Sequence, residues 1–261
     1  MSLISIFLLC IAGFFAAFVD SIAGGGGMIS IPAFIMAGVP PHLTLGTNKF
    51  SATANSLTSA IRYTQEKKVN WKFLAVLIPF TFTGAFFGVQ TVVRIPQLYL
   101  NLLISFLILL VSIYTLLKKN LGKENKPIQL NSKHWLFAVL FALAVGFYDG
   151  FFGPGTGSFL MFVFIKYFGM DFLHAGGNSR VLNFISNAIS LVLFAIHGKI
   201  WYAVGIPVAF AMFLGALSGS RLAFRKGVLV VRPIFIAISF FAALKLIYDL
   251  IGYIRRRRKH A

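Results

Sequence analysis

Stretches of about 20 residues nearly free of charged side chains recur along the whole chain, and water cannot be the main solvent of such a sequence. They lie near 3–20, 44–63, 72–93, 97–117, 134–150, 179–197, 201–222 and 230–251. A helix of that length crosses a hydrocarbon layer of ~30 Å. Only 11% of the residues are charged and 58% are apolar, and mean hydropathy is +0.86. A soluble domain carries about 25% charged residues. The expected fold is all-α, a polytopic membrane protein of about eight transmembrane helices.

The formal net charge of +18 would suggest nucleic acid in a soluble chain. Here the basic residues fall between apolar runs and at the C-terminus, where they report topology, so the expected partner is the lipid bilayer and not nucleic acid. Counting four spans per half puts the linker and both termini on one side with fifteen of the 24 basic residues, which predicts cytoplasmic termini. The basic 221–232 loop opposes that count. Met1 to Phe18 lacks the basic start of a signal peptide and reads as a retained span. Cys10 is the only cysteine, so no intrachain disulfide forms, and neither a metal nor a cofactor is expected.

Residues from about 14 to 118 and from about 143 to 251 carry the same landmarks in the same order. Asp20 with Gly24, Gly25, Gly26 and Gly27 answers Asp149 with Gly153, Gly155 and Gly157. Lys49 answers Arg180, Trp71 answers Trp201, Gly84 and Gly88 answer Gly215 and Gly219, and Arg94 answers Arg225, at offsets of 129 to 131. Duplication is the simplest cause. The division expected is a first transmembrane repeat over 1–117, a polar basic cytoplasmic linker over 118–133, a second repeat over 134–252 and a basic tail over 253–261. Each repeat has four spans and one short piece, 28–38 or 157–169, that reads as a re-entrant or broken helix. An even number of spans makes the repeats parallel; a fully crossing short piece would invert them.

Both aspartates end an apolar run just ahead of a glycine cluster, where helix propensity drops by about 1 kcal/mol per glycine. The helix should break there, and lipid cannot satisfy the backbone groups so exposed, which predicts a polar cavity. The chain then resumes as a short helix whose N–H groups and positive dipole end point back at the break, a site for an anion. Gly84, Gly88, Gly215 and Gly219 instead fit tight helix contact.

Lys49 and Arg180 begin the run after each short piece, where an unpaired charge costs ~2.5 to 3.5 kcal/mol. They either pair with Asp20 and Asp149 or attract an anion beside the breaks, with Thr47, Asn48, Asn178, Asn183 and Asn187 as neutral donors and Thr156 as a further substrate-binding residue at the second break. Asp20 and Asp149 would cap a helix, neutralise the basic pair or carry a proton with substrate, and the sequence leaves all three open.

Phe18-Val19-Asp20-Ser21-Ile22-Ala23-Gly24-Gly25-Gly26-Gly27, the following Ile31-Pro32, Gly46-Thr47-Asn48-Lys49 and the stretch from Gly146-Phe147-Tyr148-Asp149-Gly150 through Gly153-Pro154-Gly155-Thr156-Gly157 together resemble the TauE/SafE family of sulfite and organosulfonate exporters. The resemblance covers nearly the whole chain. It implies a bacterial inner-membrane permease exporting a small anion, sulfite or another sulfur-containing or organosulfonate one. The expectation is a secondary transporter, not an enzyme, working by alternating access around a midplane site formed by the two glycine breaks. An anion channel remains an alternative, as does an intramembrane aspartyl protease using Asp20 and Asp149. Substrate, proton coupling and oligomeric state stay open.

Overall fold

A computed structural model describes residues 1–96 and 131–226, together with Tyr99, Leu100, Leu103, Phe106 and Ile128. The expected run over 230–251, most of the one over 97–117, the tail and all but the end of the linker lie outside the described residues. All regular structure described is helical: α1 Leu3–Ala23, α2 Gly27–Met36, α3 Pro41–Gln65, α4 Trp71–Val92, α5 Ser132–Phe151, α6 Thr156–Lys166, α7 Phe172–Ile196 and α8 Tyr202–Lys226. The order long, short, long, long occurs twice.

Five helices, α1, α4, α5, α7 and α8, are long and apolar enough to cross a membrane. With 10 and 11 residues, α2 and α6 reach only about 15 Å, half a bilayer. The 25-residue α3 corrects the apolar run expected over 44–63, because it does not meet the apolar standard of a span. Thr44, Thr47, Asn48, Lys49, Ser51, Asn55, Ser56, Thr58 and Ser59 are all buried on it. Such a helix is tolerable only with other helices between it and lipid. A second correction concerns the basic 221–232 loop, since α8 remains helical through Arg221 and Arg225.

Local chemistry sets several boundaries. Asn70 caps α4, Asn131 and His134 form a reciprocal capping box on α5, and Asp171 caps α7. At the other end of α1, Gly24 takes φ +83° and its N–H closes back on the Asp20 carbonyl at 2.9 Å. A side chain there would be strained, and a Cβ would lie 2.4 Å from the Ser158 nitrogen.

In the packing, α1 runs along α8 and α4 along α5, with α3 and α7 against each other at the centre. Both outer pairs close on small residues, so that a Cβ on Gly84 would meet the Leu143 carbonyl oxygen at 2.1 Å and one on Gly215 the Phe14 carbonyl oxygen at 2.2 Å. Outward faces are strongly apolar, Leu3 being 86% and Ile196 73% exposed. Faces of this kind suit lipid.

Candidate functional site

The two glycine breaks and the two central helices enclose the site. α1 stops at Ala23 and α2 starts at Gly27; α5 stops at Phe151 and α6 starts at Thr156. Asp20 is the eighteenth residue of α1 and Asp149 the eighteenth of α5. Lys49 and Arg180 are each the ninth residue of their helices, α3 and α7, deeper than the start of the run near which the sequence put them. This register brings four charged side chains from four helices together, all buried.

They pair across the two halves of the chain. Lys49 Nζ donates to Asp149 Oδ1 at 2.8 Å and to Asn187 Oδ1 at 2.9 Å. The other carboxylate oxygen of Asp149 accepts from Asn183 Nδ2 at 3.1 Å and from the Ser186 hydroxyl. Asp20 faces Arg180, but Oδ2 is 3.7 Å from Nη1, too long for a hydrogen bond. Its closer partners are the Gly26 N–H at 2.9 Å and Asn55 Nδ2 at 2.8 Å. Asp20 therefore places negative charge at the N-terminus of α2, on the amide of its N-cap residue Gly26.

Arg180 is 0% exposed, and its Nε and Nη1 are buried without an acceptor. Nη2 meets only the Met161 sulfur at 3.7 Å. The guanidinium lies behind Gly157, where a Cβ would come within 2.6 Å of Nη1. Unmet donors on a buried cation are costly, and an oxyanion is the ligand their geometry suits.

A small polar cavity, partly open outward, lies among these groups. Its wall includes Asp20, Gly25, Gly26, Gly27, Asn48, Lys49, Asp149, Gly153, Gly155, Thr156, Gly157 and Asn183 from the residues expected at the site. Gly24, Thr47, Asn178 and Arg180 are not on it. Gly24 instead packs on α6, and the Thr156 hydroxyl is turned to the Gly153 carbonyl at 2.7 Å. Among the described residues, no group of three or more His, Cys, Asp or Glu comes together as a metal would require.

Thr47 and Asn178 have a different task. Thr47 Oγ1 accepts the Trp201 N–H at 2.9 Å and Asn178 Oδ1 accepts the Asn70 N–H at 2.8 Å, just ahead of α8 and α4. The glycine before each allows the approach: a Cβ on Gly46 would fall 2.0 Å from the Lys199 carbonyl oxygen, and one on Gly177 2.2 Å from that of Lys68. Gly46-Thr47 and Gly177-Asn178 are matching clasps, each holding the start of a helix from the other half.

Sequence reasoning passed over Asn55 and Ser186, which bind the two aspartates from the fifteenth position of α3 and α7. The offset of 131 that relates Lys49 to Arg180 also relates these two, and that was the available signal.

Apolar helices around a buried, charge-lined cavity define this molecule as a multi-pass membrane transporter. Its sequence matches the family described as Sulfite exporter TauE/SafE over residues 9–246, and the chain belongs to that family. It is 36% identical over 242 residues to a probable membrane transporter protein of Haemophilus influenzae, covering 93% of this chain and 94% of that one. Probable membrane transporter protein ORF9 of a Sinorhizobium species is 36% identical over 241 residues, 92% of either chain. Probable membrane transporter protein YfcA of Escherichia coli K12 is 36% identical over 234 residues, 90% of this chain and 86% of its own. No solved structure matches the chain.

Proposed function

We propose that the protein is a secondary transporter that exports a small anion, sulfite or another sulfur-containing or organosulfonate one, across the bacterial inner membrane. The observation that carries this reading is the cavity between the two glycine breaks, with Lys49 on its wall and Arg180 behind Gly157. Cations from both central helices give an anion its attraction, while the broken backbone lets it approach closely. The name of the matched family supports sulfur chemistry for the substrate.

A carrier fits this arrangement better than a channel, because Lys49 is hydrogen-bonded to Asp149 and must change partner for an anion to bind. Alternating access around the breaks is the corresponding cycle. The matched positions of Asp20 and Asp149, and of Lys49 and Arg180, support two duplicated four-span repeats, eight spans in all, with the termini and linker cytoplasmic. Proteolysis finds little support, since each aspartate is bonded to its own partners and no hydrogen bond joins the two among the described residues.

Proteoliposome flux tests the proposal. Purified protein should carry radiolabelled sulfite, thiosulfate or methanesulfonate faster than empty liposomes, and Lys49→Ala and Arg180→Ala should each abolish most of that flux. Flux untouched by both substitutions would remove the site, and no flux of any of the three anions would remove the substrate class.

A further inference from the structure

Asp20, Asp149 and Lys49 on the cavity wall and Arg180 just behind it sum to zero charge when all are ionised. An anion entering that site would add an uncompensated charge to a poorly solvated space, which is unfavourable. Neutralising one carboxylate removes the obstacle, and the two carboxylates differ in whether they can take a proton.

Asp20 accepts from the Gly26 N–H and the Asn55 amide, groups that in this arrangement only donate. A protonated Asp20 would find no acceptor there. Asp149 has only side-chain partners on its carboxylate. The Ser186 hydroxyl can rotate and accept from a carboxylic acid at Oδ2. Lys49, losing the charge of Asp149, still has Asn187 Oδ1 at 2.9 Å. The remaining titratable groups around Asp149 are Asp20 on α1, Arg180 on α7, Tyr148 beside it on α5 and Tyr63 on α3. Both tyrosine hydroxyls are committed to backbone carbonyls, those of Pro154 and Ser21. From α6 and α8 the cavity receives only Gly157, Thr156 and Met212.

On the basis of the transport reading, we infer that Asp149 carries a proton that travels with the anion, so that one proton and one singly charged anion cross together while Asp20 stays ionised. The proton binds Asp149 Oδ2 from the open side, Lys49 keeps its three protons and turns to the anion, and both leave on the far side. The empty site is neutral with Asp149 ionised, and the loaded site is neutral with both ligands present, so either form can reorient. A half-loaded site carries a net charge and is held back.

The full chain in proteoliposomes provides the test, with radiolabelled methanesulfonate and sulfite as probes and a pH-sensitive dye in the lumen. The coupling is reversible, so that export runs when the outward anion gradient exceeds the inward proton gradient; in the wild-type protein, an inwardly directed proton gradient should therefore drive anion uptake, and anion uptake should acidify the lumen. Asp149→Asn should retain anion-for-anion exchange, lose net flux by about ten-fold or more, and ignore the gradient. Asp149→Glu should restore the response to the gradient. Wild-type flux indifferent to the gradient, or a gradient response surviving in Asp149→Asn, overturns the inference while leaving anion transport standing. Absence of flux for both probes and for thiosulfate overturns the transport reading itself. Should Asp149→Asn not fold, Asp149→Glu with an altered pH dependence of uptake supports the inference, and wild-type uptake without lumen acidification overturns it.

Discussion

The two charge pairs occupy equivalent places and are built differently. Lys49 and Asp149 are locked by direct hydrogen bonds to each other and to Asn187, Asn183 and Ser186. Arg180 and Asp20 only face each other, at 3.7 Å, with the carboxylate given over to the cap of α2 and the guanidinium keeping unmet donors. Matched positions thus do not make matched sites: one pair is a closed bond that must open, the other a loose pair whose cation keeps unmet donors behind the wall at Gly157.

The largest expected effect tests this difference. Lys49→Met removes one partner of a satisfied buried pair and should cost ~3 to 5 kcal/mol, read as a lowered thermal midpoint in detergent. Arg180→Met should cost clearly less, since Asp20 keeps the Gly26 N–H and Asn55. Equal losses would erase the contrast.

Next come the clasps, where the halves should behave alike. Gly46→Ala and Gly177→Ala each push a methyl group to within 2.0 and 2.2 Å of a carbonyl oxygen and should destabilise by ~1 to 3 kcal/mol. A large loss in only one half would show that the clasps are not equivalent. Thr47→Val and Asn178→Leu leave the Trp201 and Asn70 amides without their acceptors, at about 1 to 2 kcal/mol each. Thermal unfolding should register both, whereas anion affinity, measured by titration of the detergent-solubilised protein, should hardly move.

The smallest effect again separates the halves. α7 starts on Asp171, whose side chain accepts from the His174 N–H, while α3 starts after Pro40 with no side-chain cap. Burial alone would raise the Asp171 carboxyl, but hydrogen bonds from the His174 amide and ring, with the nearby charges of His174 and Lys68, outweigh it and hold the group below its usual value of 3.8. A depressed carboxyl stabilises the fold above that value and loses its contribution as pH falls through the folded-state one. Acid titration of stability should therefore fall away below about pH 4, and Asp171→Ala, costing ~1 kcal/mol near neutral pH, should flatten that part of the curve.

Much of this was legible in the sequence for a common reason: hydropathy and glycine act locally. Runs of apolar residues announced the membrane helices, and the two glycine clusters announced breaks that fall within a few residues of where α1 and α5 end. The polar face of α3 was harder to read, since its burial depends on the neighbouring helices that cover it. Thr47 and Asn178 looked like ligand donors by residue type, yet their acceptors face backbone amides in distant loops.

By itself, then, the sequence determined that the chain belongs in lipid, where its helices break, and which four charged residues have no business there alone. Only the tertiary structure decided who pairs with whom. Lys49 and Asp149 are 100 positions apart, and their contact arises because α3 and α5 converge on one cavity. Local propensity carries no information about such a meeting; packing of whole helices does.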